Sequence, residues 1–408
     1  MALIVQKYGG SSVKDPEHIK NVAKRVVRTK RKGNKIVVVV SALGDTTDIL
    51  LDLAQQVCKD PKEREMDMLL STGEQVSIAL LTMAIHELGE EAVSFTGYQI
   101  GIVTDISHTR ARIVDIETKK ISRALLKNDI VIVAGFQGKT PDEEITTLGR
   151  GGSDLTAVAL AAALKSKCCE IYTDVDGVYT TDPRIEEKAQ KIDTISYEEM
   201  LELASLGAQV MQSRSIEVAD KYNVPIYVCN SKNNRRGTLI TREVKKMENV
   251  LVRGIALNNN EAKVTIVGVP DKPGIAAQVF KTFAANNINV DMIIQNKSTS
   301  NKTDLSFTII KNDLRKTLPI VKKAARKVNA RGVTTDENIA KISIVGVGMR
   351  SHSGVAFKVF SALADEKINI DMISTSEIKI SCVIDNKKAK QAVRAIHKKF
   401  NLHKKIKA

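Results

Sequence analysis

Two stretches in the C-terminal third repeat each other. "AKVTIVGVPDKPGIAAQVFKTFAANNINVDMI" (Ala262–Ile293) recurs as "AKISIVGVGMRSHSGVAFKVFSALADEKINIDMI" (Ala340–Ile373). Gly274, Val279–Phe280 and Ile288–Ile293 are matched by Gly354, Val359–Phe360 and Ile368–Ile373. A duplicated pattern constrains the fold more than any single motif, because one architecture must satisfy both copies. Each copy reads strand, glycine turn, helix, strand, strand, helix, the ferredoxin-like βαββαβ order. The first copy supplies a last strand near Gly332–Thr335, after a helix over Asn312–Val328. The second ends in a helix over Lys387–Phe400 and a lysine-rich tail, with no strand after it. The orphan strand Val250–Leu257, which precedes the first copy, is therefore expected to complete the second module's sheet, so that the modules interleave.

The preceding part of the chain has a different rhythm. Strand-like runs occur at Leu3–Lys7, Lys35–Ser41, Ala92–Thr96, Ile130–Ala134, Glu170–Thr173 and Ile226–Val228. Several are unbroken β-branched runs ("KIVVVVS", "DIVIVAG") of the kind that fills parallel strands buried on both faces. Helical spacing appears between them at Pro16–Arg31, Gln75–Leu88 and Leu155–Leu164. The expected fold is α/β, with helices on both sides of a mainly parallel sheet. Ligands in such sheets bind at the carboxyl ends of the strands. Lys7–Gly10, Ser41–Thr47, Gly135–Gly138 and Thr173–Gly177 all lie there.

The 408 residues suffice for two or three domains. An apolar share of 43% with 27% charged residues excludes a disordered chain. No apolar run approaches the roughly 20 residues of a membrane span, and the opening MALIVQKYGG is too briefly apolar for a signal peptide. Neither a membrane nor a secreted destination is indicated, and a cytoplasmic enzyme is expected. Cys58, Cys168, Cys169, Cys229 and Cys382 follow no zinc spacing and read as buried free thiols; no metal-binding residue is assigned. The net charge of +15 raises nucleic acid as a partner. The lysines are spread along the chain, however, and aromatics are only 4%, so no nucleic-acid interface is expected.

Three runs carry candidate chemistry. "VQKYGGSSV" puts Lys7, two glycines and two serines after the first strand. In "TTLGRGGSDLTAVALAAAL", Gly149–Arg150–Gly151–Gly152–Ser153–Asp154 opens an alanine-rich helix. A glycine turn at a helix N-terminus offers backbone N–H groups and the positive dipole end to an anion, and Arg150 could clamp a carboxylate. The same residues also suit a plain capped turn with Ser153 or Asp154 as N-cap, and composition does not separate the two. "YTDVDGVYTTDPR" (Tyr172–Arg184) is an acidic turn after a strand whose carboxylates suit ribose or magnesium, but it does not complete a calcium loop. Glu74 opens another helix, where a first-turn glutamate also serves the dipole. No Walker A run, protein-kinase signature or Gly-x-Ser-x-Gly elbow is present.

Taken together, Lys7–Ser12, Thr147–Asp154 and Tyr172–Tyr179, with the tandem repeat behind them, resemble the aspartate kinase family across essentially the whole chain. The resemblance implies an amino-acid kinase-type three-layer sandwich over residues 1–245. It implies ACT modules over residues 262–336 and 340–408. It also implies transfer of the γ-phosphoryl of MgATP to the side-chain carboxylate of L-aspartate, the entry to lysine, threonine and methionine synthesis, with ATP and Mg2+ as cofactors. On this resemblance Lys7 stabilises the transferred phosphoryl, Asp154 orients Lys7, and Tyr8, Gly9, Gly10 and Ser11 surround the phosphates. Arg150, with Gly151, Gly152 and Ser153, grips the α-carboxylate of aspartate; Glu74 meets its ammonium; Ser41 and Thr47 line the site. Thr173, Asp174, Tyr179, Thr180, Asp182 and Arg184 hold the nucleotide. Gln209 departs from the family, which usually has a lysine there, so one positive charge near ATP is missing.

The ACT resemblance implies feedback control by lysine and/or threonine, bound beside the glycine turns. The matching positions are Asp271, Gly274, Asn289, Val290, Asp291 and Gln295 in the first copy. In the second they are Val355, Ala356, Asn369, Ile370, Ser376 and Glu377. An acidic turn residue, Asp271, is present only in the first copy, so the two sites need not be equivalent. Assembly into a homo-oligomer through these modules is expected. An α2β2 form with a short subunit started at Met247 occurs in some family members. Competing readings are another enzyme of the same fold, acting on glutamate, acetylglutamate or UMP, and a non-catalytic amino-acid sensor. The pairing of Glu74 with Arg150, which suits a free α-amino acid, argues against the first; the intact set Lys7, Arg150 and Asp154 argues against the second.

Overall fold

A computed structural model describes residues 1–207, 210–242, 251–296 and 301–404. Gln209, Met247 and the first residue of the Val250–Leu257 run lie outside them. The chain divides into two compact units. The first comprises Met1–Tyr179, Lys191–Ser205 and Gln209–Lys245, the second Thr180–Gln190, Leu206–Ala208 and Lys246–Ala408.

In the first unit the β-branched runs form strands β1 (Leu3–Tyr8) and β2 (Lys35–Val40), with helix α1 (Pro16–Arg31) crossing between them. Local chemistry starts α1: Pro16 stands at its first position and the Asp15 side chain accepts from the His18 N–H at 2.9 Å. Its buried face is Ile19, Val22, Ala23, Val26 and Val27. At its basic end Lys30 and Arg31 pair with Glu90 at 3.2 and 2.8 Å, so this cationic run is an ordinary helix terminus.

Then come α2 (Thr46–Val57), α3 (Glu63–Leu70), α4 (Thr72–His86), β3 (Ala92–Phe95), β4 (Ile102–Thr104), β5 (Ile113–Ile116), α5 (Lys119–Leu126) and β6 (Ile130–Ala134). They are followed by β7 (Gln137–Lys139), β8 (Ile145–Thr147), α6 (Gly152–Ala163), β9 (Cys168–Thr173), β10 (Thr194–Ser196), α7 (Tyr197–Ser205), α8 (Ser213–Tyr222), β11 (Ile226–Asn230) and β12 (Thr238–Thr241). The main sheet has the order β10-β12-β11-β9-β1-β2-β6-β3, parallel throughout except β11 against β12. Side chains alternate along β1. Tyr8 therefore joins the core under α1 and α4, while Lys7 faces α6.

Three elements differ from the sequence expectations. β4, β5, β7 and β8 make a second small sheet; strands of three or four residues carry too short a pattern to read. The run Glu63–His86 is, by length and composition alone, apolar enough to cross a membrane, and half of that apolar window is buried in the unit. No unbroken apolar run marks it in the sequence, because Asp67, Ser71 and Glu74 interrupt it; all three are buried in polar contacts. Cys58 is exposed, not buried, at the end of α2, whereas Cys168, Cys169 and Cys382 are buried free thiols.

The second unit contains β13 (Gly254–Asn258), β14 (Glu261–Pro270), α9 (Ile275–Ala284), β15 (Ile293–Gln295), β16 (Lys302–Ile310), α10 (Leu314–Lys327) and β17 (Gly332–Asp336). β18 (Ile339–Val345), α11 (Val355–Asp365), β19 (Met372–Thr375), β20 (Lys379–Asp385) and α12 (Ala389–Lys399) complete it. Two four-stranded antiparallel sheets result, β15-β16-β14-β17 and β13-β18-β20-β19. β13 pairs with β18, with Ile255 opposite Ile344, so a strand that precedes the first copy of the repeat sits at the edge of the second copy's sheet. The matched glycines have one shared cause. Gly274 and Gly354 lie just before α9 and α11 at φ 89° and 85°, a backbone that a side chain would strain.

Candidate functional site

The carboxyl ends of β1, β2 and β6 meet the N-termini of α4 and α6 in the first unit, and glycines make the approach possible. A Cβ on Gly10 would lie 2.8 Å from the Gly44 carbonyl oxygen and 2.9 Å from that of Ala42. The Gly44 N–H donates to the Gly10 carbonyl at 3.1 Å, locking the β1 and β2 turns together. A Cβ on Gly73 would meet Ala42, and one on Gly135 would collide with Ser153 at 2.6 Å from its Oγ. At these points glycine is needed for room, not for conformation.

The Lys7 ammonium lies 2.8 Å from Asp154 Oδ1, with side chains 13% and 10% exposed. Gly9 leaves room for it: a Cβ there would stand 3.3 Å from Lys7 Nζ. Two residues far apart in sequence thus place a nearly buried ion pair beside the glycine turn. No side chain caps α6; Gly151 does so at φ 76°, and Asp154 sits in the first turn. Asp154 Oδ2 accepts from the Gln212 N–H at 3.4 Å, and the Gln212 amide donates to the Arg150 carbonyl at 2.8 Å. The choice between N-cap and partner of Lys7 is therefore decided for Asp154, and Ser153 is buried without capping. Arg150 reaches outward, 88% exposed, 3.3 Å from Asp48. With Gly151 and Gly152 at the start of α6, it presents a guanidinium and a helix N-terminus together.

Glu74 is the other pole. It lies in the first turn of α4, 2% exposed. Its Oε1 accepts from the Ala42 N–H at 3.1 Å, while Oε2 is buried with no partner. Burial pushes its carboxyl up to about 7. Ser41, just after β2, and Thr47, in the first turn of α2, are half-buried.

Tyr8 contributes no side chain to this face. Its ring is buried, stacked on Tyr172 at 4.7 Å, because the strand alternates. Ser11 is exposed on the turn, and the Gly9 N–H donates to the Tyr172 carbonyl at 3.4 Å. At the end of β9, Thr173 donates its hydroxyl to Asp174 at 3.0 Å. Tyr179 bridges to Lys191. Thr180, Asp182 and Arg184 belong to the second unit. There the Thr180 hydroxyl accepts from the Gln190 N–H and lies 3.0 Å from His397 Nε2. Asp182 is gripped by Arg184 at 2.8 Å, which holds its carboxyl below the usual range.

Sequence reasoning missed Asp67. Wholly buried, it accepts from the Thr147 hydroxyl at 2.5 Å, the Thr109 N–H at 3.0 Å and His108 Nδ1 at 2.8 Å. It thereby braces β8, which leads into Gly149–Arg150. No local pattern marks it, since its partners come from distant turns. Asp67→Ala leaves those donors unmatched and should lower unfolding stability by about 2–3 kcal/mol, read by urea denaturation; an unchanged midpoint would refute the bracing role.

In the second unit the positions singled out around the two turns differ in their engagements. Asp271 donates its N–H to the Asn301 carbonyl at 2.9 Å. Asn289 and Gln295 are exposed and Val290 half-buried. The Asp291 carboxylate is paired with buried Lys341, which also pairs with Glu261. In the second copy Val355 is buried, Ala356 and Ile370 are half-buried, and Asn369 is exposed. The Ser376 N–H donates to the Lys379 carbonyl at 2.8 Å, and Glu377 pairs with Arg350 at 3.0 Å. Among the described residues no group of three or more histidine, cysteine or acidic side chains is arranged to hold a metal ion.

Residues 2–230 match the sequence profile of the amino acid kinase family, and residues 264–324 and 342–400 that of the ACT domain. The chain is 54% identical over 403 residues to an aspartate kinase of Stutzerimonas stutzeri, covering 98% of each. Among solved structures it is similar to E. coli aspartokinase III in complex with aspartate and ADP (R-state), with a TM-score of 0.84, 26% identity and coverage of 97% and 99%. It is also similar to that enzyme in complex with lysine and aspartate (T-state), with a TM-score of 0.77, 28% identity and coverage of 98% and 100%.

Proposed function

The chain belongs to the amino acid kinase family, as an aspartate kinase with tandem ACT domains, and on that premise we propose that it moves the γ-phosphoryl of MgATP onto the side-chain carboxylate of L-aspartate, with the roles assigned below. The observation that carries this reading is the Lys7–Asp154 pair beside the Gly9–Gly10 turn.

Both reactants are anions, so positioning and charge neutralisation are the main demands. A carboxylate oxygen of aspartate attacks the γ-phosphorus, the bond to the β,γ-bridging oxygen breaks, and ADP leaves. The attacking oxygen is already ionised, so no general base is needed. Lys7 neutralises charge on the passing phosphoryl, and Asp154 fixes its ammonium. N–H groups around Gly9, Gly10 and Ser11 hold phosphate oxygens. Magnesium would enter as part of the nucleotide substrate and would neutralise phosphate charge there. Arg150, already exposed, closes on the α-carboxylate of aspartate, and Glu74 receives its ammonium, with Ser41 and Thr47 alongside. Thr173, Asp174 and Tyr179 contact the nucleotide, and the Thr180–Arg184 stretch continues that segment.

The finer regulatory reading is feedback by lysine and/or threonine at the ACT modules of a cytoplasmic homo-oligomer, at the entry to lysine, threonine and methionine synthesis. The matched left-handed glycine turns and the lysine complex of the E. coli relative support it. If a short subunit starts at Met247, changing that codon removes the short product from expressing cells.

ADP release with aspartate, glutamate or UMP tests the activity, repeated with lysine, threonine and both. Aspartate-dependent release that either effector lowers is expected; none with aspartate would sink the reading. Gln209→Lys supplies the cation that the family usually has at this position and is expected to lower the KM for ATP severalfold. An unchanged or higher KM would mean that another cation already fills that role.

A further inference from the structure

A second cleft of about 340 Å3 opens in the first unit, between α1 and the turn after β11. Its lining includes Lys24, Arg25, Arg28 and Lys232, with His18 from the first turn of α1, and no acidic residue among the described ones. Ser12 lines it too: the residue is 3% exposed, and its hydroxyl is buried with no hydrogen-bond partner. A buried hydroxyl left unmatched costs stability unless something arrives to meet it.

We propose that this cleft is an anion site, separate from the catalytic pair, that takes a small molecule bearing a phosphate or diphosphate group. Three observations support that assignment. First, the cleft lies on the other face of the sheet. Lys7 and Tyr8 are consecutive on β1 and face opposite sides, and Arg25 stands 4.9 Å over the ring of Tyr172, the residue stacked on Tyr8. Second, its arginines are held in place. Arg25 donates to the carbonyls of Ser231 at 3.0 Å and Asn233 at 2.7 Å, and Arg28 to the Asn234 side chain at 2.7 Å. Each leaves further N–H groups for a ligand, and a fixed fork loses little freedom on binding. Third, four cationic side chains without an acid in the lining match the charge of a diphosphate better than that of a single carboxylate, and Ser12 adds a neutral donor to that lining. The volume falls at the small end of ligand sites.

Isothermal titration of inorganic pyrophosphate into the full chain, saturated with ADP to fill the nucleotide site, tests this. One equivalent is expected to bind. Lys24→Glu/Lys232→Glu should weaken it by about tenfold or more, while ADP affinity and turnover with ATP and aspartate stay at the parent level and report an intact fold. Ser12→Ala changes no charge and should still weaken binding severalfold. It carries the test if the double variant does not fold. The proposal is overturned if the parent chain binds no pyrophosphate, if both variants bind it as the parent does, or if citrate, an anion without phosphate, binds equally well. Because catalysis and this site are read separately, failure of one leaves the other standing.

Discussion

Lys7→Ala is expected to lower kcat by about 10²–10³-fold or more, the scale of losing one preorganised donor to developing charge. The Lys7 side chain is 13% exposed and its ammonium is committed to Asp154 at 2.8 Å, so little water stands ready to replace it. Lysine or threonine binding in the second unit should be unchanged, since no residue of that unit is altered. If Asp154 acts through Lys7, Asp154→Asn costs activity in the parent and almost nothing further in the Lys7→Ala background, the non-additivity of groups that work as one. A double variant slower than Lys7→Ala by the full Asp154→Asn factor would show that the carboxylate has a task of its own. A Lys7→Ala enzyme with more than about a tenth of parental kcat would remove Lys7 from the chemistry.

A pH profile gives the second large effect. Burial holds the Glu74 carboxyl protonated up to about pH 7 in the ligand-free protein. Only the ionised form pairs with an ammonium, so kcat/KM for aspartate should fall about tenfold per unit as pH drops below about 7. Glu74→Gln should reduce kcat/KM by about 10²-fold at pH 8 and abolish that limb. A limb that persists in Glu74→Gln would assign the titration to another group.

The linked stability effect has the opposite sense. The folded carboxyl is raised from 4.5 to about 7, so between those values the folded state holds a proton that the unfolded chain has released. Stability therefore declines as pH rises through this window, and the ionised side chain costs about 3 kcal/mol above it. Glu74→Gln should accordingly be more stable than the parent at pH 8 and show no such decline. Adding aspartate should narrow the difference, because its ammonium favours the ionised parent.

The candidate site was legible where local chemistry announces itself. A lysine followed by paired glycines after a β-branched strand, and a glycine run opening an alanine helix, are readable because turn geometry limits the residue types that fit. The sequence marks Arg150 as a candidate carboxylate clamp but not its pairing with Asp48, since Asp48 sits on a helix with no distinguishing pattern. Ser12 passed as part of a motif; only its buried, unmatched hydroxyl separates it from Ser11.

By itself the sequence determined the alternation of strands and helices and the glycine turns, which are properties of residues within about a dozen positions of one another, and the duplication of the C-terminal module, which is visible as two copies of one local pattern. Folding decided which of these meet. Hydrophobic pattern says that Gly254–Asn258 is a strand; only the free edge of β18 says whose strand it is. The approach of Lys7 to Asp154, the burial that lifts the Glu74 carboxyl, and the network around Asp67 arise between segments far apart in the chain. Charge in a protein is set by surroundings, and these surroundings exist only once the sheet, α4 and α6 have closed over the β1 turn.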